Sequence, residues 1–223
     1  EFEKMAAECA RLIESEVRKL ESLVDAFSQF ARFPSARLEA ADVNSIVRSA
    51  VELFHGRLEG ISVRTDLAAD LPAVKADREL LRRVIANLID NGLKFVSKDK
   101  QPQISIWTET VAVDGHASNP ANGSPSSALR IWVEDNGIGI EKEFYEKIFG
   151  LFERLHPSHA FPGTGLGLAI VRKGVERMGG RVGLESHPDR GSRFWVELPA
   201  GAVPANHPGP HQTPSPNGLM ENK

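Results

Sequence analysis

An α+β fold preceded by a separate coiled-coil-like helix is what the sequence predicts, on three observations. Residues 6 to 31 keep one apolar seam at helical spacing, residues 42 to 199 interleave helix-period and strand-period segments, and the composition changes abruptly after Leu198. With 41% apolar and 26% charged residues in 223, the chain has enough apolar side chain for one ordinary core, and wholesale disorder is excluded.

The seam consists of Ala6, Ala10, Ile13, Val17, Leu20, Val24, Phe27 and Ala31, at alternating steps of four and three with Glu, Arg and Lys between them. A helix of that kind asks for a partner helix, or else lies on its own domain. It stops at Phe33-Pro34, because proline disfavours helix at its predecessor and lacks an N–H. Residues 1–33 are therefore one unit and residues 34–41 a connector.

Asp42 is placed to cap a helix whose positions Val43, Ile46, Val47, Ala50, Val51 and Phe54 recur at helical spacing as far as Gly56. Ile61, Val63, Thr65 and Leu67 alternate as a strand, 72–76 is a second short extended piece, and Asp77 can cap a long helix to about Val96. Strands follow at 103–113 and 128–135, joined by a loop rich in Gly, Ser, Asn and Pro. Next come a helix at about 141–149, an irregular stretch to 162, a helix at about 165–178, and strands at 181–186 and 192–198. Residues 200–223 are rich in Pro, Gly, His and Asn with almost nothing apolar, so they are expected to be a disordered tail, with His207 and His211 solvated.

Charge and cysteine content narrow the function. Twenty-seven basic against thirty acidic residues give a net charge of -3, which supplies no footprint for nucleic acid or an anionic membrane. The single cysteine, Cys9, allows neither an internal disulfide nor a thiolate metal site, and no stretch reaches the roughly 20 apolar residues of a membrane helix. A cytoplasmic location is expected, with the parent protein free to be membrane-anchored. The chain begins without an initiator Met and already in helical pattern, as a fragment of something longer would.

Four stretches carry chemistry. In NLIDNGLKF, Asn87, Asn91 and Lys94 share one helix face, where two carboxamides and a lysine at a packed edge call for a polar ligand, since a buried unpaired group costs roughly 1 to 3 kcal/mol. In EDNGIGI, Asp135 closes a strand where its carboxylate can accept from an amine, while Gly137 and Gly139 leave room for a flat ring. In GTGLGLAIV, Gly163, Thr164, Gly165, Leu166 and Gly167 lead into a helix whose exposed N–H groups suit an anion, without the lysine of a P-loop. In SHPDRGSRFWVELP, Gly191 turns into a core strand carrying Phe194, Val196 and Leu198.

In this order these stretches resemble the N, G1, G2 and G3 boxes of the sensor histidine kinase catalytic domain, and FYEKIFGLFERLH resembles its F box, with Phe149 and Phe152. The resemblance spans roughly Asp42 to Pro199, and the heptad helix is similar to the second helix of the family's dimerisation and phosphoacceptor domain. Residues 20–90 resemble the nitrogen-regulation type and 91–199 the phytochrome type, as a natural recombinant or an engineered fusion would.

The resemblance implies a two-layer α/β sandwich, a mixed and mostly antiparallel sheet with helices on one face, shared with gyrase, mismatch-repair and chaperone ATPases (the Bergerat-type ATP-binding fold). It implies ATP and Mg²⁺ as ligands. Asp135 would accept from the adenine amino group, Asn91 would hold Mg²⁺, and Asn87 and Lys94 would contact phosphate. Gly137 and Gly139 would open a mobile lid, residues 150–162, which the glycines at 163, 165 and 167 would close. The implied partners are a phosphoacceptor histidine domain, a response regulator and a second copy of the chain through residues 6–31.

Three departures qualify this. Gly92 stands where the family usually has Ala, at up to about 1 kcal/mol to the helix. Arg193 stands where a Thr often lies near the adenine and receives no role. No helical His followed by Glu or Asp and then Pro occurs, so the phosphoacceptor is missing and no catalytic residue is assigned. An ATPase of the gyrase or chaperone class needs a Glu where Asn87 stands, and an amide is no base. Asp90, the nearest substitute, is expected to point elsewhere by about a quarter turn. A serine kinase of the anti-sigma type and a non-enzymatic nucleotide-sensing module share the boxes and are the remaining alternatives.

Overall fold

The computed structural model describes residues 1–31, 35–57, 61–97, 99–112, 127–155, 161 and 163–200. The tail beyond residue 200, the insert at 113–126 and residues 156–160 and 162 of the expected lid lie outside the described residues.

Helix α1 covers Phe2–Ala31 and leaves its seam outward, with Ile13 63% and Leu20 61% exposed and Val17, Val24 and Phe27 also open. It touches the following domain where the Phe27 ring stacks on Phe152 at 6.0 Å between centroids. No helix among the described residues is long and apolar enough to cross a membrane.

Helix α2 (Val43–Glu52) starts where expected, with Asp42 accepting from Ser45 N at 3.1 Å, and α3 (Arg78–Lys94) does the same through Asp77 and Leu80 N at 3.0 Å. Strands β2 (Ser62–Leu67), β4 (Gln103–Ala112), β5 (Ser127–Asp135), β7 (Ser192–Pro199) and β6 (Arg181–Ser186) form a sheet in the order β2-β4-β5-β7-β6. Only β2 and β4 pair in parallel, so the sheet is mixed and mostly antiparallel as expected.

Strand alternation separates the two faces. Ile104, Ile106, Leu129, Ile131, Val133, Phe194, Val196 and Leu198 face the helices and are buried with Val84, Ile85 and Leu88 of α3 and Val171 and Val175 of α4 (Gly167–Arg177). Gly174 brings α4 close to α3, since a methyl there would stand 2.8 Å from Val84 Cγ2. On the other face Trp107, Trp132 and Trp195 are register partners across three strands. Trp107 and Trp132 stack at 5.4 Å, and the Arg130 guanidinium lies 5.3 Å from both the Trp132 and Trp195 rings. That cover leaves Trp132 only 7% exposed although it points away from the core.

Two expectations change. Part of the connector is a strand: β1 (Glu39–Ala41) pairs antiparallel with β3 (Val74–Ala76), a contact between segments too far apart for local pattern to reveal. The helix expected at 141–149 is instead two 3₁₀ turns, Lys142–Phe144 and Lys147–Phe149. Two side chains there are tied separately to the sheet. The Tyr145 hydroxyl bonds to Ser186 and the Phe149 ring meets Phe194 edge-on at 6.5 Å, so tertiary anchoring overrides the helical period.

Candidate nucleotide-binding site

A cavity of about 400 Å³ opens between α3, the C-terminal end of β5 and the N-terminus of α4. It gathers every site residue expected from sequence except Gly137, which sits just behind the wall: a methyl there would meet Phe95 O at 2.5 Å and Asp135 Oδ1 at 2.8 Å.

One end of the cavity is apolar with a single acid. Ile138, Ile140, Ile148, Ile170 and Phe194 line the cavity with Asp135. The Asp135 Oδ1 accepts from Gly137 N at 2.9 Å and Ser192 N at 3.1 Å, and Oδ2 accepts none among the described residues. Burial pushes its carboxyl up to about 6, with the two backbone N–H groups pulling the other way and too weakly to restore the ordinary range. Gly139 sits at φ 71, with no room for a side chain against the His187 carbonyl, so the turn that shapes this wall requires glycine.

The other end is polar. Asn87, Asn91 and Lys94 share one face of α3, as their spacing predicts; Asn87 and Asn91 look across at Gly167, and Lys94 at Gly163. A methyl on Gly167 would come within 3.3 Å of Asn87 Oδ1 and 3.7 Å of both Asn91 amide atoms, so the glycine keeps this space open. Asn87 Nδ2 donates to Arg83 O at 2.8 Å, whereas Asn91 Nδ2 is buried with no partner among the described residues. Leu166, the N-cap of α4, gives no side-chain cap bond, which leaves the first N–H groups of that helix for an anion. Lys94 has its pKa lowered by burial and by the nearby Arg154 guanidinium, with Asp90 acting in the opposite sense.

Several members were missed in the sequence. Arg154 donates to Phe161 O at 2.8 Å and to Gly163 O, bracketing the end of the expected lid, while the Phe161 ring meets Phe95 at 5.2 Å. Asp90, expected to point elsewhere, also borders the cavity, since the positions three and four residues after Asn87 lie side by side on one helix face. Ser192 is the hydroxyl of this wall. Arg193 points to the opposite face and pairs with Glu134 at 2.7 Å. The inward alternation of Phe194, Val196 and Leu198 carries back to Ser192, a signal present in the sequence.

A metal would find no cage of protein charges, since no group of three or more His, Cys, Asp or Glu is suitably placed among the described residues. The neutral amide oxygen of Asn91 fits a hard divalent cation whose other ligands are water and phosphate, and its orphaned Nδ2, a donor, fits a phosphate oxygen.

The family described as "Histidine kinase-, DNA gyrase B-, and HSP90-like ATPase" matches residues 76–202. The chain is 36% identical over 187 residues to the phytochrome-like protein Cph1 of Synechocystis sp., covering 83% of this chain and 23% of that protein. It is 35% identical over 168 residues to the sensor histidine kinase AruS of Pseudomonas aeruginosa, covering 72% and 16%. The Cph1 match has more residues than lie between 91 and the C-terminus, so the phytochrome-type likeness extends upstream of the segment to which the sequence reading confined it. Among solved structures, full-length ShkA in complex with AMPPNP is similar with a TM-score of 0.65 and 27% identity, over 88% of this chain and 39% of that one. The catalytic domain of histidine kinase ThkA is similar with a TM-score of 0.57 and 26% identity, over 74% and 98%.

Proposed function

Since the chain belongs to the histidine kinase-, DNA gyrase B- and HSP90-like ATPase family, we propose that it is the ATP-binding catalytic part of a two-component sensor histidine kinase, able to pass the γ-phosphate to a histidine on a helix it does not itself contain. The observation that carries this is one cavity with a lone carboxylate among apolar side chains at one end and an uncapped helix N-terminus facing an orphaned Asn91 amide at the other.

In this reading the base lies between Ile138, Ile140 and Phe194 and gives its amino proton to Asp135 Oδ2 as a hydrogen bond. The polyphosphate runs toward Gly163 to Gly167, where α4 backbone N–H groups, Lys94 and Asn87 receive it. Bound Mg²⁺ would neutralise phosphate charge, with Asn91 as its protein ligand. Lys94 gains an anionic neighbour on binding, which reverses the effect of burial on its charged form.

The chain spans 23% of Cph1 and 16% of AruS, so the acceptor histidine domain, the response regulator and a dimer through residues 6–31 are proposed for the whole protein. A cytoplasmic position for this part goes with them. Hydrolysis of the gyrase kind is disfavoured at Asn87, whose neutral amide is no base; one of its N–H groups goes to Arg83 O and the other remains for phosphate.

Calorimetry with ATP and Mg²⁺ tests the reading. The wild type should bind, and Asp135→Asn, which turns an amide N–H toward the base amino group, should bind about tenfold to a hundredfold more weakly. The chain incubated alone with γ-labelled ATP should gain negligible acid-labile phosphate and should label a separate fragment carrying the missing acceptor helix. Equal affinity in the variant, or stoichiometric acid-labile label on the chain itself, would overturn it.

A further inference from the structure

Tyr145, the protein's single tyrosine, lies outside the nucleotide reading yet is tied to its base-binding end. Its hydroxyl donates to Ser186 O and accepts from Ser186 N at 2.8 Å, so it holds both backbone groups of the last residue of β6. The Ser186 side chain is buried and makes three contacts: Ile140 N donates to its Oγ at 2.8 Å, Gly191 O lies 2.9 Å away, and Ser192 Oγ lies 2.9 Å away.

A hydroxyl has one proton and two lone pairs. A carbonyl can only accept, so the Ser186 proton goes to Gly191 O, and one lone pair is taken by Ile140 N–H. The remaining lone pair can only receive the proton of Ser192. That donation fixes the Ser192 hydroxyl: its proton points away from the cavity it lines, and its lone pairs are what it offers a ligand. Its own backbone N–H holds Asp135.

We propose that Tyr145 and Ser186 are positioning residues that lock the Ser192 hydroxyl as an acceptor beside Asp135, so that the base pocket presents acceptors alone and selects a 6-amino over a 6-oxo purine. This rests on the nucleotide reading above. Freed from Ser186, the Ser192 hydroxyl can rotate and donate to a 6-oxo group.

The test is the ratio of affinities for ADP and inosine diphosphate, each with Mg²⁺, measured by calorimetry on the whole chain. The wild type should prefer ADP. Ser186→Ala should lower that preference at least fivefold, mainly through tighter inosine diphosphate binding, and Tyr145→Phe should lower it in the same direction by less. The double variant should go no further than Ser186→Ala. Tyr145→Phe keeps the ring and reads the same relay if Ser186→Ala fails to fold. An unchanged ratio in a folded variant, or equal loss of both nucleotides, overturns the relay. A wild type that binds neither nucleotide overturns the nucleotide reading and the relay with it.

Discussion

Gly92 lies directly against Asp135: a methyl on its Cα would stand 3.0 Å from Asp135 Cβ and 2.5 Å from Ile104 Cδ1. The helix accepts a poor former here because the Ile104 side chain and the Asp135 Cβ occupy the space. Gly92→Ala gains up to about 1 kcal/mol of helix propensity and incurs a packing strain of roughly 1 to 3 kcal/mol. Thermal unfolding should therefore show little gain or a loss, while calorimetry should show ATP affinity reduced several-fold as Asp135 is pushed. A variant that is both more stable and equally tight would refute this placement.

Asp135 makes nucleotide binding pH-dependent. Its carboxyl titrates at about 6 in the folded chain, above the unfolded value, so the stabilisation belongs to the protonated form. It is fully present below about pH 4 and is lost as pH rises through about 6, a span worth roughly 3 kcal/mol at about 1.4 kcal/mol per tenfold. Without nucleotide, melting temperature should rise as pH falls from 7 to 5, relative to Asp135→Asn. ATP affinity should move oppositely, falling as pH drops through 6, because the protonated acid loses acceptor strength.

Asn91→Ala should cost the empty protein little. The buried Nδ2 has no partner among the described residues, and removing it recovers part of a penalty of about 1 to 3 kcal/mol, which offsets the lost packing. The loss should appear in Mg²⁺: titration of the metal at fixed ATP should enhance affinity in the wild type and do so far less in the variant.

Deleting residues 1–33 should leave a folded monomer, because the buried core, among the described residues, includes no side chain of α1. The intact chain should self-associate through the open seam, detectably by sedimentation, yet more weakly than a complete four-helix bundle. The same oligomer after deletion would place the interface elsewhere.

Helix starts were legible because their causes are local: Asp42 and Asp77 each cap through a backbone N–H three residues on. The N-box face and the glycine run were legible for the same reason, since spacing alone brings Asn87, Asn91 and Lys94 together. What escaped depends on distant partners. Strand β1 exists only opposite β3, and the turns around Tyr145 replace a helix only because Ser186 holds them. Ser192 escaped although it lies only one step of strand parity from Arg193, which received no role; the core pattern of β7, carried back from Phe194, reaches it.

The three tryptophans occupy the sheet face turned away from the cavity, whereas the lone tyrosine is bonded into the cavity wall. The protein thus separates its chromophores by location. Indole emission reports on the integrity of the sheet, and the near-parallel Trp107 and Trp132 rings, 14° apart, are close enough for their transitions to couple into a paired circular-dichroism band. Tyrosine absorbance should respond to events at the cavity, which Tyr145 reaches through Ser186 and Ser192. A single ultraviolet difference spectrum can therefore distinguish ligand arrival from unfolding without any attached label.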